Sequence, residues 1–324
     1  MPHAIRIHRT GSPEVLQWDG VEVPPPNAGE ARVRHHAVGL NYIDTYHRSG
    51  LYPVPLPSGL GQEAAGVVEA VGAGVTEVKV GDRVAYATSP LGAYTEVRNV
   101  AASILVPLPD AISFEQGAAV MMQGLTAQYL LRRTYRVQPG DTILIHAAAG
   151  GVGTIVCQWA KALGATVIGT VSSEHKADIA CAHGCDHAII YTRENFAERV
   201  REITDGAGVP VVYDSIGKDT FMDSLACLRP LGLMVSFGNA SGAVPPVDIG
   251  VLARMGSLYL TRPTLFTYAA KREDLLAMAA ELFDVVAAGK VKIEIGQCYP
   301  LRDAAQAHID LEARRTIGST VLLP

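Results

Sequence analysis

The residues with the clearest chemical pattern form a small, glycine-rich group near the middle of the chain. Ala148, Gly150 and Gly153 occupy the three positions of a G-x-G-x-x-G pattern, with alanine in place of the first glycine. In this pattern the first residue makes a tight turn, the second lets backbone approach a pyrophosphate, and the third lets a helix pack on a strand. Gly151 and Val152 would begin the helix, whose N–H groups and positive dipole end attract phosphate. The pattern predicts that these five residues contact a dinucleotide.

The segments around this group are typical of a strand, a turn, a helix and a second strand. Residues 142–146 and 165–171 are apolar and rich in β-branched side chains, which indicates buried parallel strands. Residues 152–163 have helical apolar spacing and are followed by Gly164, a residue suited to a helix C-terminus. An ordinary strand-to-helix turn could have a similar composition. Because a βαβ unit of this length most often holds a dinucleotide, we interpret the turn as a cofactor site.

The residues after the second strand indicate which nicotinamide cofactor is bound. Enzymes that use NAD place Asp or Glu there to bind the ribose 2′-hydroxyl, whereas this strand is followed by Ser172 and Ser173. Both serines can donate hydrogen bonds to a 2′-phosphate, and Lys176 supplies a positive charge. Glu174 opposes this interpretation, and we expect its side chain to point to water. The segment predicts NADPH, with an ordinary solvated lysine as the alternative role of Lys176.

Length and composition limit the class of protein. The chain has 324 residues, of which 48% are hydrophobic and 18% charged, and its formal net charge is −5 at pH 7. The length favours two domains, and the negative charge argues against a nucleic-acid binder. No run of about 18 apolar residues is present, so no membrane span is expected. The first residues lack the pattern of a signal peptide, and the five scattered cysteines indicate no disulfide framework, which predicts a cytoplasmic protein.

The order of the predicted elements changes along the chain. Short strand patterns separated by proline and glycine turns precede residue 120, which is typical of small antiparallel sheets or a partly open barrel. A helix beginning at Ser113 marks the change, and strands and helices alternate after it. The alternation predicts an α/β fold with a doubly wound parallel sheet. The tail again mixes strands and helices, and we expect it to pack with the first domain.

Several further stretches carry a resemblance to a known family. They are SPEVL (12–16), NYIDTYHRSGLYP (41–53), LPSGLGQEAAGVV (56–68), VGDRVAY (80–86), HAAAGGVG (146–153), VVYDSIG (211–217) and GLMVSFGNASG (232–242). Together, and in this order, they resemble a medium-chain dehydrogenase/reductase of the quinone oxidoreductase type. The resemblance implies an NADPH-binding Rossmann domain at residues 123–262 and a β-rich, GroES-like catalytic domain made of residues 1–122 and 263–324. It also implies a homodimer joined partly through residues 257–261.

Metal ligands distinguish two branches of this family. Zinc-dependent relatives carry an early cysteine and a G-H-E motif, whereas residues 39–46 contain no cysteine and the motif here is Gly61-Gln62-Glu63. Gln62 is a poor zinc ligand, and no cysteine precedes Cys157, so the four-cysteine structural site is also missing. We therefore expect neither a catalytic nor a structural zinc.

The absence of zinc ligands bears on the substrate. Oxidation of an unactivated alcohol would lack its main aid, whereas a quinone or an enone can accept hydride directly. The candidate donors to the acceptor oxygen are Asn41, Tyr46, Tyr52 and Gln62. A tyrosine ring can cover a flat quinone while its hydroxyl donates a hydrogen bond, although packing is the more common role of such residues. The resemblance adds expected cofactor contacts for Asn41, Thr126, Tyr191, Phe237, Asn239 and Arg314.

The predicted function is thus the NADPH-dependent reduction of quinones by hydride or electron transfer. The nearest alternative is a reductase of enoyl or alkenal double bonds with the same fold and cofactor. A non-enzymatic protein that binds NADPH or RNA is an alternative of another class. The negative net charge disfavours RNA, and the tyrosines and the single amide of residues 41–52 favour an enzyme over an inert binder.

Overall fold

The computed structural model describes residues 1–88 and 90–324 of the chain. These residues form two units. The first unit comprises Met1–Leu125, Tyr268–Ala287 and Ile293–Pro324, and the second comprises Thr126–Thr267 and Ala288–Lys292. The first unit is therefore built from both ends of the chain.

The strands and helices of the described residues are numbered in chain order. The strands are β1 (His3–Ile7), β2 (Leu16–Gly20), β3 (Glu30–Leu40), β4 (Ser58–Gly59), β5 (Ala64–Val71), β6 (Arg83–Tyr86), β7 (Val97–Ala101), β8 (Val106–Pro107), β9 (Thr142–His146), β10 (Thr166–Val171), β11 (His187–Ile190), β12 (Val209–Asp214), β13 (Leu228–Ser236), β14 (Tyr259–Thr261), β15 (Ile295–Pro300) and β16 (Ser319–Leu323). The helices are α1 (Tyr42–Ser49), α2 (Phe114–Tyr129), α3 (Gly151–Ala162), α4 (Glu174–Ala182), α5 (Phe196–Ile203), α6 (Phe221–Ala226), α7 (Gly250–Arg254), α8 (Leu265–Tyr268), α9 (Arg272–Ala287) and α10 (Ala304–Glu312). None of these helices is long and apolar enough to cross a membrane.

The second unit is built on a six-stranded sheet in the order β11-β10-β9-β12-β13-β14. Every neighbouring pair in this sheet is parallel. Counted from β9 the order is 3-2-1-4-5-6, which is the order of a Rossmann fold. Branched aliphatic side chains such as Leu144, Ile168 and Val212 fill its core and are fully buried. The predicted doubly wound α/β sheet is confirmed.

The first unit contains two sheets. A three-stranded sheet has the order β2-β1-β4, and a seven-stranded sheet has the order β15-β16-β3-β5-β6-β8, with β7 also paired to β3. Strand β16, from the tail, pairs antiparallel with β3, so that Thr320 lies opposite Leu40. The tail therefore completes a sheet that the beginning of the chain starts. The β-rich, GroES-like architecture expected for this part of the molecule is confirmed.

Helix α1 is an element that the sequence patterns do not predict. The backbone N–H of Asn41 donates to Asp44 Oδ2 (2.9 Å), which satisfies a donor at the beginning of the helix. Gly50 ends the helix in the left-handed conformation, with φ of 87°. Helix α1 therefore has its own start and stop residues. Of the predicted catalytic residues, Asn41 is its N-cap and Tyr46 lies within it.

Candidate active site

The glycine-rich turn joins β9 to α3 by a close approach of backbone to backbone. Ala147 adopts a left-handed conformation with φ of 55°, and its carbonyl oxygen accepts a hydrogen bond from Gly150 N (2.9 Å). A Cβ on Gly153 would lie 2.3 Å from that same oxygen, so this position requires glycine. Ala148 is fully buried beside β10, where its N–H donates to Thr170 O (3.1 Å). The turn is therefore fixed by one hydrogen bond within itself and by another to β10.

The N-terminus of α3 offers an anion site. Gly150 is the N-cap residue, and Gly151, Val152 and Gly153 form the first turn, whose N–H groups lack carbonyl partners within the helix. A Cβ at Gly150 would stand 3.2 Å from Ala147 O, which is a crowded contact. The unsatisfied donors and the helix dipole together fit a pyrophosphate.

The residues after β10 fit a 2′-phosphate. Ser173 caps α4, its hydroxyl accepting from Lys176 N (3.3 Å), and Ser172 O accepts from the Thr192 hydroxyl (3.1 Å). Glu174 is exposed, as expected, and it pairs with Arg193. Arg193 therefore offsets part of the charge of the carboxylate that opposes NADPH binding. Arg193, which the sequence analysis does not single out, adds a cation at this edge.

Other predicted cofactor contacts also lie at the carboxyl edge of the parallel sheet. Tyr191 directly follows β11 and is 40% exposed. Phe237 directly follows β13, its N–H donating to Asp214 O (2.8 Å), and Asn239 is two residues further on. Because the carboxyl ends of parallel strands share one edge, these residues lie at the same edge as the glycine-rich turn.

Two predicted cofactor contacts lie elsewhere in the chain. Thr126 is buried within α2, with 8% of its surface exposed, and is the first residue of the second unit. Arg314 belongs to the first unit and lies exposed between α10 and β16, with φ of 59°.

The predicted tyrosines form an aromatic cluster in the first unit. The rings of Tyr46 and Tyr52 pack edge to face, with centroids 5.1 Å apart. Tyr42 packs against Tyr46 in the same manner at 5.6 Å. Tyr46 is 8% exposed and Tyr52 is half-buried. The three rings therefore form one continuous aromatic cluster on and beside α1.

The predicted amides surround a buried carboxyl group. Glu63 is fully buried, and Asn41 Nδ2 donates to its Oε2 (2.6 Å) while Met122 N donates to its Oε1 (2.6 Å). Gln123 Nε2 in turn donates to Asn41 Oδ1 (3.4 Å). Asn41 therefore holds Glu63 in place. Gln62, the neighbour of Glu63 in sequence, is 6% exposed.

A second carboxyl group lies close to the first. Asp44 is fully buried, and burial raises its pKa to about 7, although hydrogen bonds from Asn41 N and the Tyr94 hydroxyl act to lower it. Burial also raises the pKa of Glu63 to about 8, with a further contribution from the charge of Asp44. Two such groups resist ionising together near neutral pH.

Sequence reasoning does not find the residues that surround these acids. Tyr94, Arg48 and His308 form hydrogen bonds around Asp44 and are at most 2% exposed. The available signal is the spacing of Asp44 and Arg48, which places a charged pair on one helical face. This spacing is informative only if the segment is a helix, and the sequence patterns do not predict that helix.

The Rossmann sheet with its glycine-rich turn, together with a β-rich unit that the tail completes, defines a medium-chain dehydrogenase/reductase. Two family models match the chain, Alcohol dehydrogenase GroES-like domain over residues 27–110 and Zinc-binding dehydrogenase over residues 151–283. The chain is 60% identical to the quinone oxidoreductase of Pseudomonas aeruginosa, over 100% of both chains. It is 54% identical to quinone oxidoreductase 1 of Escherichia coli, again over 100% of both. The chain belongs to the quinone oxidoreductase family.

Solved structures agree with this assignment. The structure of Escherichia coli quinone oxidoreductase complexed with NADPH matches with a TM-score of 0.98 and 53% identity, covering 99% of this chain and 100% of that one. One matching family model is named for zinc binding. Within residues 1–88 and 90–324, however, no group of three or more His, Cys, Asp or Glu side chains could hold a metal ion.

Proposed function

We propose that this protein catalyses the NADPH-dependent reduction of quinones without zinc. The observation that carries the proposal is the full-length identity of 60% and 54% to two quinone oxidoreductases. The NADPH complex of the Escherichia coli relative supports the cofactor. The serines and cations after β10, and the pairing of Glu174 with Arg193, support it independently.

The residues that would bind the cofactor lie mostly in the second unit. NADPH, when bound, supplies the hydride. The first-turn N–H groups of α3 bind the pyrophosphate, and Ser172, Ser173, Lys176 and Arg193 bind the 2′-phosphate. Further contacts are proposed, from their sequence positions, for Asn41, Thr126, Ala148, Tyr191, Phe237, Asn239 and Arg314. The proposed domains are residues 123–262 for the cofactor and residues 1–122 and 263–324 for catalysis.

The residues that would act on the quinone lie in the first unit. The rings of Tyr46 and Tyr52 cover the flat acceptor, and their hydroxyls donate hydrogen bonds to the oxygen that gains charge. Gln62 supplies an amide donor from the position at which zinc-dependent relatives carry a histidine. The Asn41 side chain binds the Glu63 carboxyl group. Because Glu63 directly follows Gln62, this bond also helps to fix the backbone next to Gln62.

The test is the oxidation of NADPH by a panel of acceptors, followed by absorbance. The panel contains benzoquinones, naphthoquinones, ortho-quinones and short enones, each with NADPH and with NADH. We expect rapid oxidation of NADPH by at least one quinone, slower oxidation of NADH, and no change after dialysis against EDTA. Failure of every quinone would contradict the proposal. Faster turnover of enones than of quinones would support a double-bond reductase instead.

Lys176→Ala tests the assignment of the 2′-phosphate. Loss of a charged donor to phosphate is expected to raise the KM for NADPH about tenfold and to leave the KM for NADH nearly unchanged, because NADH lacks that phosphate. Steady-state kinetics with both cofactors measures this difference. Lys79→Ala, in the first unit, is the control and should change neither value. An equal loss with both cofactors would remove Lys176 from the site.

We propose further that the protein acts as a homodimer in the cytoplasm. Strand β14 is the last strand of its sheet, and its Tyr259 and Leu260 side chains are 61% and 42% exposed. An exposed apolar edge strand favours pairing with a second copy. All five cysteines are free thiols in the described part of the chain, which suits a reducing compartment.

A further inference from the structure

Helix α1 has two faces of opposite character. Asp44 and Arg48 lie four residues apart on one face, and both are buried. Tyr42 and Tyr46, also four residues apart, carry the aromatic cluster. Positions two residues apart on an α-helix differ by about 200° in direction, so the charged face and the tyrosine face are nearly opposite. Any rotation of α1 about its axis would therefore move both faces.

A chain of buried hydrogen bonds connects the two charged residues of α1 through side chains that are distant in sequence. Arg48 Nη1 lies 3.1 Å from His308 Nδ1. His308 Nε2 lies 3.1 Å from the Tyr94 hydroxyl. That hydroxyl donates to Asp44 Oδ2 at 2.9 Å. All four residues are at most 2% exposed, so solvent does not compete for these bonds.

The chemistry of the four groups fixes the direction of each bond. An arginine side chain can only donate, so His308 Nδ1 accepts from Arg48. The neutral ring then carries its proton on Nε2 and donates it to Tyr94, whose own O–H donates to Asp44. Burial and the neighbouring Arg48 charge lower the pKa of His308 to about 3, so the ring stays neutral at physiological pH. The arrangement is a single, directed set of bonds.

This set of bonds is not suited to moving protons. Arg48 occupies the end nearest solvent, where it pairs with Glu312 through Nη1 (3.0 Å) and Nη2 (2.7 Å) and donates to Gly11 O from Nε (3.1 Å). A guanidinium group does not release its proton in proteins, so it interrupts any path from Glu312 to Asp44. We therefore interpret these hydrogen bonds as fixing the position of α1 rather than as a path for protons.

Tyr94 also contacts the turn that precedes Gln62. A Cβ on Gly61 would lie 2.2 Å from Cδ1 of the Tyr94 ring, and Tyr94 N donates to Leu60 O (2.9 Å). Gly61 itself has a φ of 80°. The Tyr94 ring thus packs directly against the turn while its hydroxyl holds α1.

We propose that Tyr94 and His308 are positioning residues that hold α1 and the Gly61 turn in place, and thereby place the Tyr46 ring and the Gln62 amide toward the quinone. The inference rests on the proposed function for the identity of the substrate. The clamp itself, defined as Tyr94, His308, Asp44 and Arg48, rests on the hydrogen bonds alone.

The first test is Tyr94→Phe, which removes one hydroxyl and keeps the ring against Gly61. We expect kcat/KM for the quinone to fall on the order of tenfold or more, because small misplacements of reacting groups have effects of this size. The Kd of NADPH should stay within about twofold of the wild-type value. Tyr299→Phe is the matched control, since the Tyr299 hydroxyl donates to Asp310 (2.7 Å) in the same unit. It should leave both values unchanged.

The second test exchanges the ring of His308. His308→Leu removes both bonds, whereas His308→Gln keeps one acceptor for Arg48 and one donor for Tyr94. We expect His308→Leu to behave as Tyr94→Phe does, and His308→Gln to recover most of the wild-type kcat/KM. A merely space-filling role would give the opposite order, because leucine fills an apolar site better than glutamine.

Hydrogen–deuterium exchange separates failure of the clamp from failure of the proposed function. Amides of Tyr42–Ser49 should exchange faster in Tyr94→Phe than in wild type, whether or not any quinone is a substrate. Unchanged exchange in α1, or an active wild type whose kcat/KM is matched by Tyr94→Phe, would overturn the clamp. A wild type that is inactive with every quinone would overturn the proposed function, and the exchange result would still decide on the clamp.

Discussion

The two buried carboxyl groups of the first unit are costly to ionise. Glu63 and Asp44 are both fully buried, and Asn41 contacts both, through its side-chain amide and its backbone N–H respectively. Placing two negative charges there would be expensive, so one group keeps its proton near neutral pH. The raised pKa values of both groups reduce the negative charge that is buried near neutral pH.

The stability of the protein should consequently depend on pH through Glu63. Its pKa is raised from 4.5 to about 8, so the folded protein binds this proton more tightly than the unfolded chain does. The stability that this group contributes is full below its unfolded pKa and is lost as pH rises through about 8. Asp44, raised to about 7, acts in the same direction.

Glu63→Gln isolates this effect. We expect the fall in the free energy of unfolding between about pH 5 and 8 to be shallower in the variant than in wild type, because the variant has one fewer proton to lose. Urea denaturation at several pH values measures the slope. Glu69→Gln, an exposed acid at the other end of β5, is the control. A variant with the wild-type slope would show that Glu63 does not titrate in this range.

At the scale of elements, the Rossmann unit could be predicted because its signals are local. The predicted strand at residues 142–146 is β9, and the predicted strand at residues 165–171 is β10, which begins one residue later. Apolar β-branched runs are buried on both faces in a parallel sheet, so composition alone identifies them. The carboxyl edge of the sheet, where a cofactor is expected, can be located from the same signal, because parallel strands all end at one edge. Strand β13 begins at Leu228, and this signal would miss its first residues because Arg229 and Pro230 interrupt the apolar pattern.

Helix α1 could not be predicted for a physical reason. Its buried face carries Asp44 and Arg48, which a hydrophobic pattern assigns to solvent. Their burial depends on partners that are distant in sequence, among them Tyr94 and His308, which supply hydrogen bonds from 50 and 260 positions away along the chain. Residue types and resemblance therefore indicate the candidate catalytic residues, but they do not reveal the helix that carries Tyr46 or the acids beside Asn41.

A substitution at Gly61 tests how tightly the Tyr94 ring packs against this turn. Gly61→Ala adds a Cβ that would lie 2.2 Å from the Tyr94 ring, in a residue with φ of 80°. Gly74→Ala has nearly the same φ, 77°, with nothing within 4 Å of the added Cβ. The conformational cost alone is about 1 kcal/mol. We expect Gly61→Ala to lose clearly more free energy of unfolding than Gly74→Ala, as measured by urea denaturation. Equal losses would mean that the ring moves aside freely.

At the scale of the whole molecule, each unit meets a different need. The second unit offers strand ends and a helix N-terminus, and backbone groups of this kind suit an anionic cofactor. The first unit uses buried side chains, and residues from both ends of the chain meet in it, as His308 and Arg48 do. A truncation of the tail would therefore remove part of the clamp as well as β15 and β16.

The edge strand β14 leads to a prediction about assembly. A two-fold axis beside β14 would pair it antiparallel with its copy and extend each six-stranded sheet into one of twelve strands. Sedimentation of the wild type should then give twice the mass of the chain. Replacing Tyr259 and Leu260 together by Lys should give a monomer, because two of the added positive charges would lie close together on each face of the joined sheet. Met222→Lys, at an exposed apolar position on α6, should remain dimeric. A monomeric wild type would contradict the proposed homodimer, and a dimeric double variant would show that β14 is not its interface.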